Sequence, residues 1–122
     1  MGLWLLLSGL YGVMAVAFAA WGAQGVGGQA ALWVERGSQF QLIHAVALLA
    51  LARPCGEGLR LMRPAAGVMA LGVACFSGSL YLKALEIPLP IPIITPFGGI
   101  MLMLSWLLVG GAGWLAYDHG RV

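Results

Sequence analysis

The chain has 122 residues, with six Lys or Arg, four Asp or Glu and a formal net charge of +2. Hydrophobic residues make up 61% and charged residues 8%, against about 25% charged in an ordinary soluble domain. This excludes a disordered chain, argues strongly against a water-soluble globular domain and is too weakly basic for nucleic acid; it points to a polytopic membrane protein.

A spanning helix takes about 20 apolar residues. Four of them leave room for two tails and three short connections, and none for a soluble catalytic domain. The expected fold is all-α: a single domain over residues 1–122, an integral membrane bundle of four transmembrane helices. The charged residues fit this plan, because none falls within the apolar runs 3–23, 65–82 and 97–117.

The first helix is expected over residues 3–23. Within it Ser8, Gly12, Ala15, Ala19 and Ala23 recur at spacings of three and four and share one face. Such small residues let another helix approach closely in lipid. Ala17-Phe18-Ala19 has the form of a signal-peptide cleavage site. No Lys or Arg precedes the run, so the segment is read as a retained helix.

A glycine-rich turn at 24–28 leads to a second helix over 29–52 that is partly amphipathic. Its clean apolar run, Leu42 to Ala52, is too short to cross alone, and Glu35, Arg36, Ser38, Gln39 and Gln41 precede it. Arg53 to Arg63 reads as a basic loop broken by Pro54, Gly56 and Gly58. Cys55 in that loop and Cys75 deep in the next run are read as two free thiols, too far apart to pair.

The third helix is expected over 64–82, with Pro64 in its first turn. Ala66, Ala70, Ala74 and Gly78 form a second four-spaced strip, which makes helices 1 and 3 the expected close-packing pair. Candidate packing residues are therefore Gly12, Ala15 and Ala19 with Ala70, Ala74 and Gly78. Pro88-Leu89-Pro90-Ile91-Pro92 forbids a helix and suits an extended segment at the membrane surface. Thr95 then reads as the cap of a fourth helix over 96–117, with Pro96 at its first position.

Orientation follows from the short loops. Arg53, Arg60, Arg63 and Arg121 lie on the side of both termini, against Arg36 and Lys83 on the other. Four cations against two place both termini in the cytoplasm, as in a bacterial inner membrane.

Polar residues at membrane depth are the candidates for function. Ser38, Gln41 and His44 are spaced by three and stack along one helix face. Gln24, Ser77 and Ser79 complete the candidate intramembrane cluster. Either these groups hydrogen-bond to neighbouring helices and fix their register, or His44 titrates, relays a proton or binds a metal. No second His, Cys or carboxylate lies at ligand spacing on the same helix, so no metal, haem or other cofactor is expected. Ser77 and Ser79 lack an acid to orient a base and a strand–turn–helix elbow, so no catalytic residue is assigned.

Several segments carry a family resemblance. Ala20-Trp21-Gly22-Ala23-Gln24-Gly25 is similar to the Gly-Ala-Phe-Gly-Ala-His-Gly stretch of the domain of unknown function 423 family, which includes the transmembrane protein 256 group. Phe40-Gln41-Leu42-Ile43-His44 resembles its Tyr-Gln-x-x-His, and Phe76-Ser77-Gly78-Ser79-Leu80-Tyr81 its most distinctive motif. Ile94-Thr95-Pro96-Phe97-Gly98-Gly99 resembles its Thr-Pro-x-Gly-Gly, and Ser105-Trp106 its Gly-Trp. The departures are Gln24 for His, Phe40 for Tyr and Ser105 for Gly. The resemblance implies a small four-helix membrane protein and supplies no activity.

The functional expectation is a non-enzymatic structural or accessory subunit of a larger membrane complex, in contact with lipid and with other subunits or copies of itself. The alternative is a small transporter or channel for a proton, ion or small polar solute, with its path past His44.

Overall fold

A computed structural model describes residues 1–89 and 93–120. Pro90, Ile91 and Pro92 of the proline-rich segment, and Arg121 of the orientation argument, lie outside the described residues. The described residues form α1 (Gly2–Gln24), α2 (Gly28–Gly56), α3 (Met62–Ala84) and α4 (Ile94–Asp118), with no strand among them. At 1.5 Å per residue the 23-residue helices α1 and α3 are about 35 Å long, enough to cross the roughly 30 Å hydrocarbon core.

The turn between α1 and α2 is only Gly25, Val26 and Gly27, and Gly28 enters α2 at φ +63°, a conformation natural to glycine. At the far end α2 does not stop at Ala52. It continues through Pro54 to Gly56. Pro54 lies inside the last turns and gives up the N–H that would bond to the Ala50 carbonyl, and the Glu57 N–H bonded to the Arg53 carbonyl at 2.9 Å closes the helix beyond it.

Short connections make chain neighbours into spatial neighbours. Accordingly α1 packs on α2, α2 on α3 and α3 on α4. This corrects the pairing expected from the two small-residue strips. The tight backbone approaches lie between consecutive helices instead. A Cβ added at Gly22 would come within 2.7 Å of Val34, and one at Gly37 within 2.9 Å of the Tyr81 ring. One added at Gly98 would stand 2.5 Å from the backbone nitrogen of Phe76. Helix α1 reaches α3 through long side chains, among them Tyr11 and Phe18.

The four-spaced strip fails as a ruler because α-helices repeat every 3.6 residues. Each step of four rotates the strip by about 40°, so Ala66 and Ala70 are buried on α3 while Ala74, further along, is exposed. The core therefore sits where α2, α3 and α4 meet. Leu48, Leu51, Cys55, Met69, Val73, Leu102 and Ala112 form it, with Trp4, Leu7 and Tyr11 of α1 packed against it.

Helices α1, α3 and α4 are long and apolar enough to cross a membrane on composition alone. The most apolar window of α3 is 56% buried and that of α1 only 11%, which makes α3 the central helix and α1 a lipid-facing one. Helix α2 joins them for a different reason. Its charges stop at Arg36 and resume at Arg53, 17 positions or about 26 Å later. On α3, Arg63 and Lys83 are 20 positions or about 30 Å apart. The two belts of charge thus bracket one hydrocarbon thickness, and between them α2 turns Ser38, Gln41 and His44 inward and leaves Gln39, next to the belt, exposed.

Candidate functional site: an intramembrane hydrogen-bond lock

His44 lies near the midpoint between Arg36 and Arg53, about 12 Å from either belt along α2. One turn away, Gln41 is the hub of the polar network. Its Oε1 accepts a bond from the Tyr81 hydroxyl at 2.6 Å, and its Nε2 donates to the Tyr11 carbonyl at 3.0 Å. One amide therefore ties α2 to α1 and α3 at once. The Tyr81 ring stacks on Phe18 with centroids 3.7 Å apart and covers Gly37. Any side chain at position 37 would push that ring off its partner.

Around the hub, hydroxyls bond to carbonyls across the helix interfaces. Tyr11 donates to Ala70 O at 2.8 Å, Ser8 to Ala45 O at 2.8 Å and Ser77 to Gly37 O at 2.7 Å. Ser79 donates to Phe76 O within its own helix, so its oxygen accepts from the Thr95 hydroxyl of α4. Such bonds replace the hydrophobic effect, which cannot drive helices together in lipid.

The imidazole of His44 is held at both nitrogens. Nδ1 lies 2.6 Å from the Phe40 carbonyl, which can only accept, so Nδ1 carries the proton. The Trp106 indole N–H of α4 donates to Nε2 at 3.1 Å. The ring is thus neutral, in one tautomer, and has no lone pair left for a metal or a relayed proton. Among the described residues no group of three or more His, Cys, Asp or Glu converges on a metal-sized site, and every buried side-chain N or O has a partner.

Of the candidate polar cluster, the structure brings Gln41, His44, Ser77 and Ser79 into interhelical bonds. It does not bring in Gln24, which is exposed at the end of α1, or Ser38, whose hydroxyl bonds to Glu35 O of its own helix. Thr95 does not cap α4. The helix begins at Ile94, so Thr95 and Pro96 sit inside its first turn and the Thr95 hydroxyl is occupied by Ser79. The candidate packing residues also separate. Ala15 and Ala70 are buried, and Ala19 and Ala74 are exposed. Added Cβ atoms at Gly12 and Gly78 would meet nothing within 4 Å. Sequence reasoning missed Tyr11, Tyr81 and Trp106 as members of the network. Their polar tips inside apolar runs were the available signal.

The motif segments touch one another. Gln41 meets Tyr81, Phe40 stacks on Phe76 at 4.8 Å, Ser79 meets Thr95, Gly98 abuts the Phe76 backbone and His44 meets Trp106. Residues 15–99, well over half the chain, match the family described as Protein of unknown function (DUF423). The chain belongs to the DUF423 family. It is 35% identical over 102 residues to a UPF0382 membrane protein of Haemophilus influenzae, covering 83% of this chain and 82% of that one. It is 31% identical over 110 residues to the UPF0382 inner membrane protein YgdD of Escherichia coli, covering 86% and 84%. With YwdK of Bacillus subtilis, a UPF0382 membrane protein, identity is 28% over 116 residues, covering 89% and 94%. No solved structure matches this DUF423 chain. It is a membrane protein with helical spans, and the family's name carries no activity.

Proposed function

We propose that this DUF423 chain is a non-enzymatic structural or accessory subunit of a larger complex in a bacterial inner membrane. One observation carries the reading: among the described residues every buried side-chain polar atom already has a partner, and Gln41, His44, Ser77 and Ser79 use theirs to tie helices together. A transport path past His44 needs polar groups that exchange partners with a passing ion or solute, whereas these have fixed ones. The outward faces supply the complementary half. Helix α1 presents Leu6, Val13 and Val16, and α4 presents Met103, Leu107 and Trp114, all more than half exposed. In a small bundle, broad apolar faces of this kind serve lipid and neighbouring subunits.

The termini belong on the cytoplasmic side, because Arg53, Arg60 and Arg63 share their face while Arg36 and Lys83 mark the other. Gentle extraction from the native membrane, followed by native-size analysis and mass spectrometry, tests the reading. The expected result is co-migration with a defined larger membrane complex. Recovery as a stable monomer or small homo-oligomer without a partner overturns it.

A further inference from the structure

On the arginine-rich face, α4 and the α2–α3 connection leave a groove of about 320 Å³. Its walls are Leu59, Ala112, Leu115 and Ala116, and its polar lining is Arg60 and His119. We propose that this groove binds one anionic phospholipid, its phosphate on Arg60 and the start of an acyl chain along the Leu and Ala wall.

Charge complementarity carries the assignment. Arg53 is neutralised by Glu57 in an exposed ion pair at 3.0 Å, and the Arg63 Nε–H bonds to the Cys55 carbonyl. Arg60 makes neither an ion pair nor a side-chain hydrogen bond with any described residue, and its guanidinium offers five N–H donors. No carboxylate lines the groove. At the end of α4, Leu115 O accepts from both the backbone N–H and Nδ1 of His119, and Tyr117 O from the Gly120 N–H. Nδ1 donates to the Leu115 carbonyl, so in the neutral ring Nε2 is an acceptor and Arg60 alone offers donors to a phosphate.

The position suits a lipid and not a soluble anion. Arg60 lies at the level of the charged belt, where headgroups sit, and the groove floor of buried Ala112 and Ala116 runs toward the hydrocarbon. The groove of about 400 Å³ at the other end of the bundle makes the contrast. It is lined by Ala19, Gly22, Ala23, Ala31, Ser38, Gln39 and Glu35, whose carboxylate repels phosphate.

The test is reconstitution into phosphatidylcholine vesicles with a trace of spin-labelled phosphatidylglycerol, and separately of spin-labelled phosphatidylcholine. The ratio of motionally restricted label is read for each protein. The wild type is expected to favour phosphatidylglycerol, and Arg60→Gln to lower that preference about fivefold, the effect of losing one direct contact between guanidinium and phosphate. Arg53→Gln, outside the groove, is expected to leave it unchanged. Both changes are on exposed side chains, so folding is preserved. An Arg60→Gln protein with wild-type preference overturns the site. Equal losses in both variants also overturn it, because they show attraction by the charged face alone.

Discussion

Replacing Gly98 by alanine is expected to destabilise the reconstituted protein by about 1–3 kcal/mol, the usual cost of forcing a methyl group into a packed interface. The cause is the backbone of α3. A methyl at position 98 would lie 2.5 Å from Phe76 N and 2.9 Å from Phe76 Cα, atoms that no rotamer change can move aside. The helices must separate, which also stretches the bond between Ser79 and Thr95 one turn earlier. Gly78→Ala is the paired control. Nothing lies within 4 Å of its added methyl, so relief of glycine's helix penalty should stabilise the fold by about 0.5–1 kcal/mol. Opposite signs for two glycines of neighbouring motifs, measured by thermal unfolding in one detergent, are the expected outcome. Equal losses would show that α3 and α4 do not pack in this register.

The second large effect is at Gln41. Gln41→Leu leaves the Tyr81 hydroxyl without its acceptor and removes the donor to Tyr11 O, at a cost of about 1–3 kcal/mol. Tyr81→Phe alone strands Gln41 Oε1 instead. With both replaced, no orphaned partner remains between them, so the double variant should lose less than the sum of the singles. A coupling of about 0.5–2 kcal/mol is expected. Strict additivity would mean that the two side chains do not meet.

Much of the architecture was legible because charge is so sparse. Long runs without Asp, Glu, Lys or Arg set off α1, α3 and α4, and polar residues inside the apolar stretches, with the spacing of three between Gln41 and His44, pointed to Gln41, His44, Ser77 and Ser79. The rotation of each helix was not legible. A helix that is apolar nearly all round carries no stripe to say which side faces protein, so the four-spaced small residues suggested close packing of α1 on α3, whereas the extensive contacts join consecutive helices. Long-range partners were hidden for the same reason. Trp106 is 62 positions from His44, and nothing local to either residue announces the other. Thr95 misled because Ser/Thr-Pro is a strong helix-start signal in water. At membrane depth its hydroxyl serves better as a partner for Ser79 than as a cap.

The account rests on the polar cluster being closed. The measurement that tests this most directly is nitrogen-15 magnetic resonance of the His44 imidazole in the reconstituted protein at neutral pH. The account predicts one neutral tautomer, protonated on Nδ1, with Nε2 accepting the Trp106 N–H and exchange with bulk water slow. An imidazole protonated on Nε2, or one exchanging rapidly with water at the middle of the bilayer, would contradict it and would point to a conducting path.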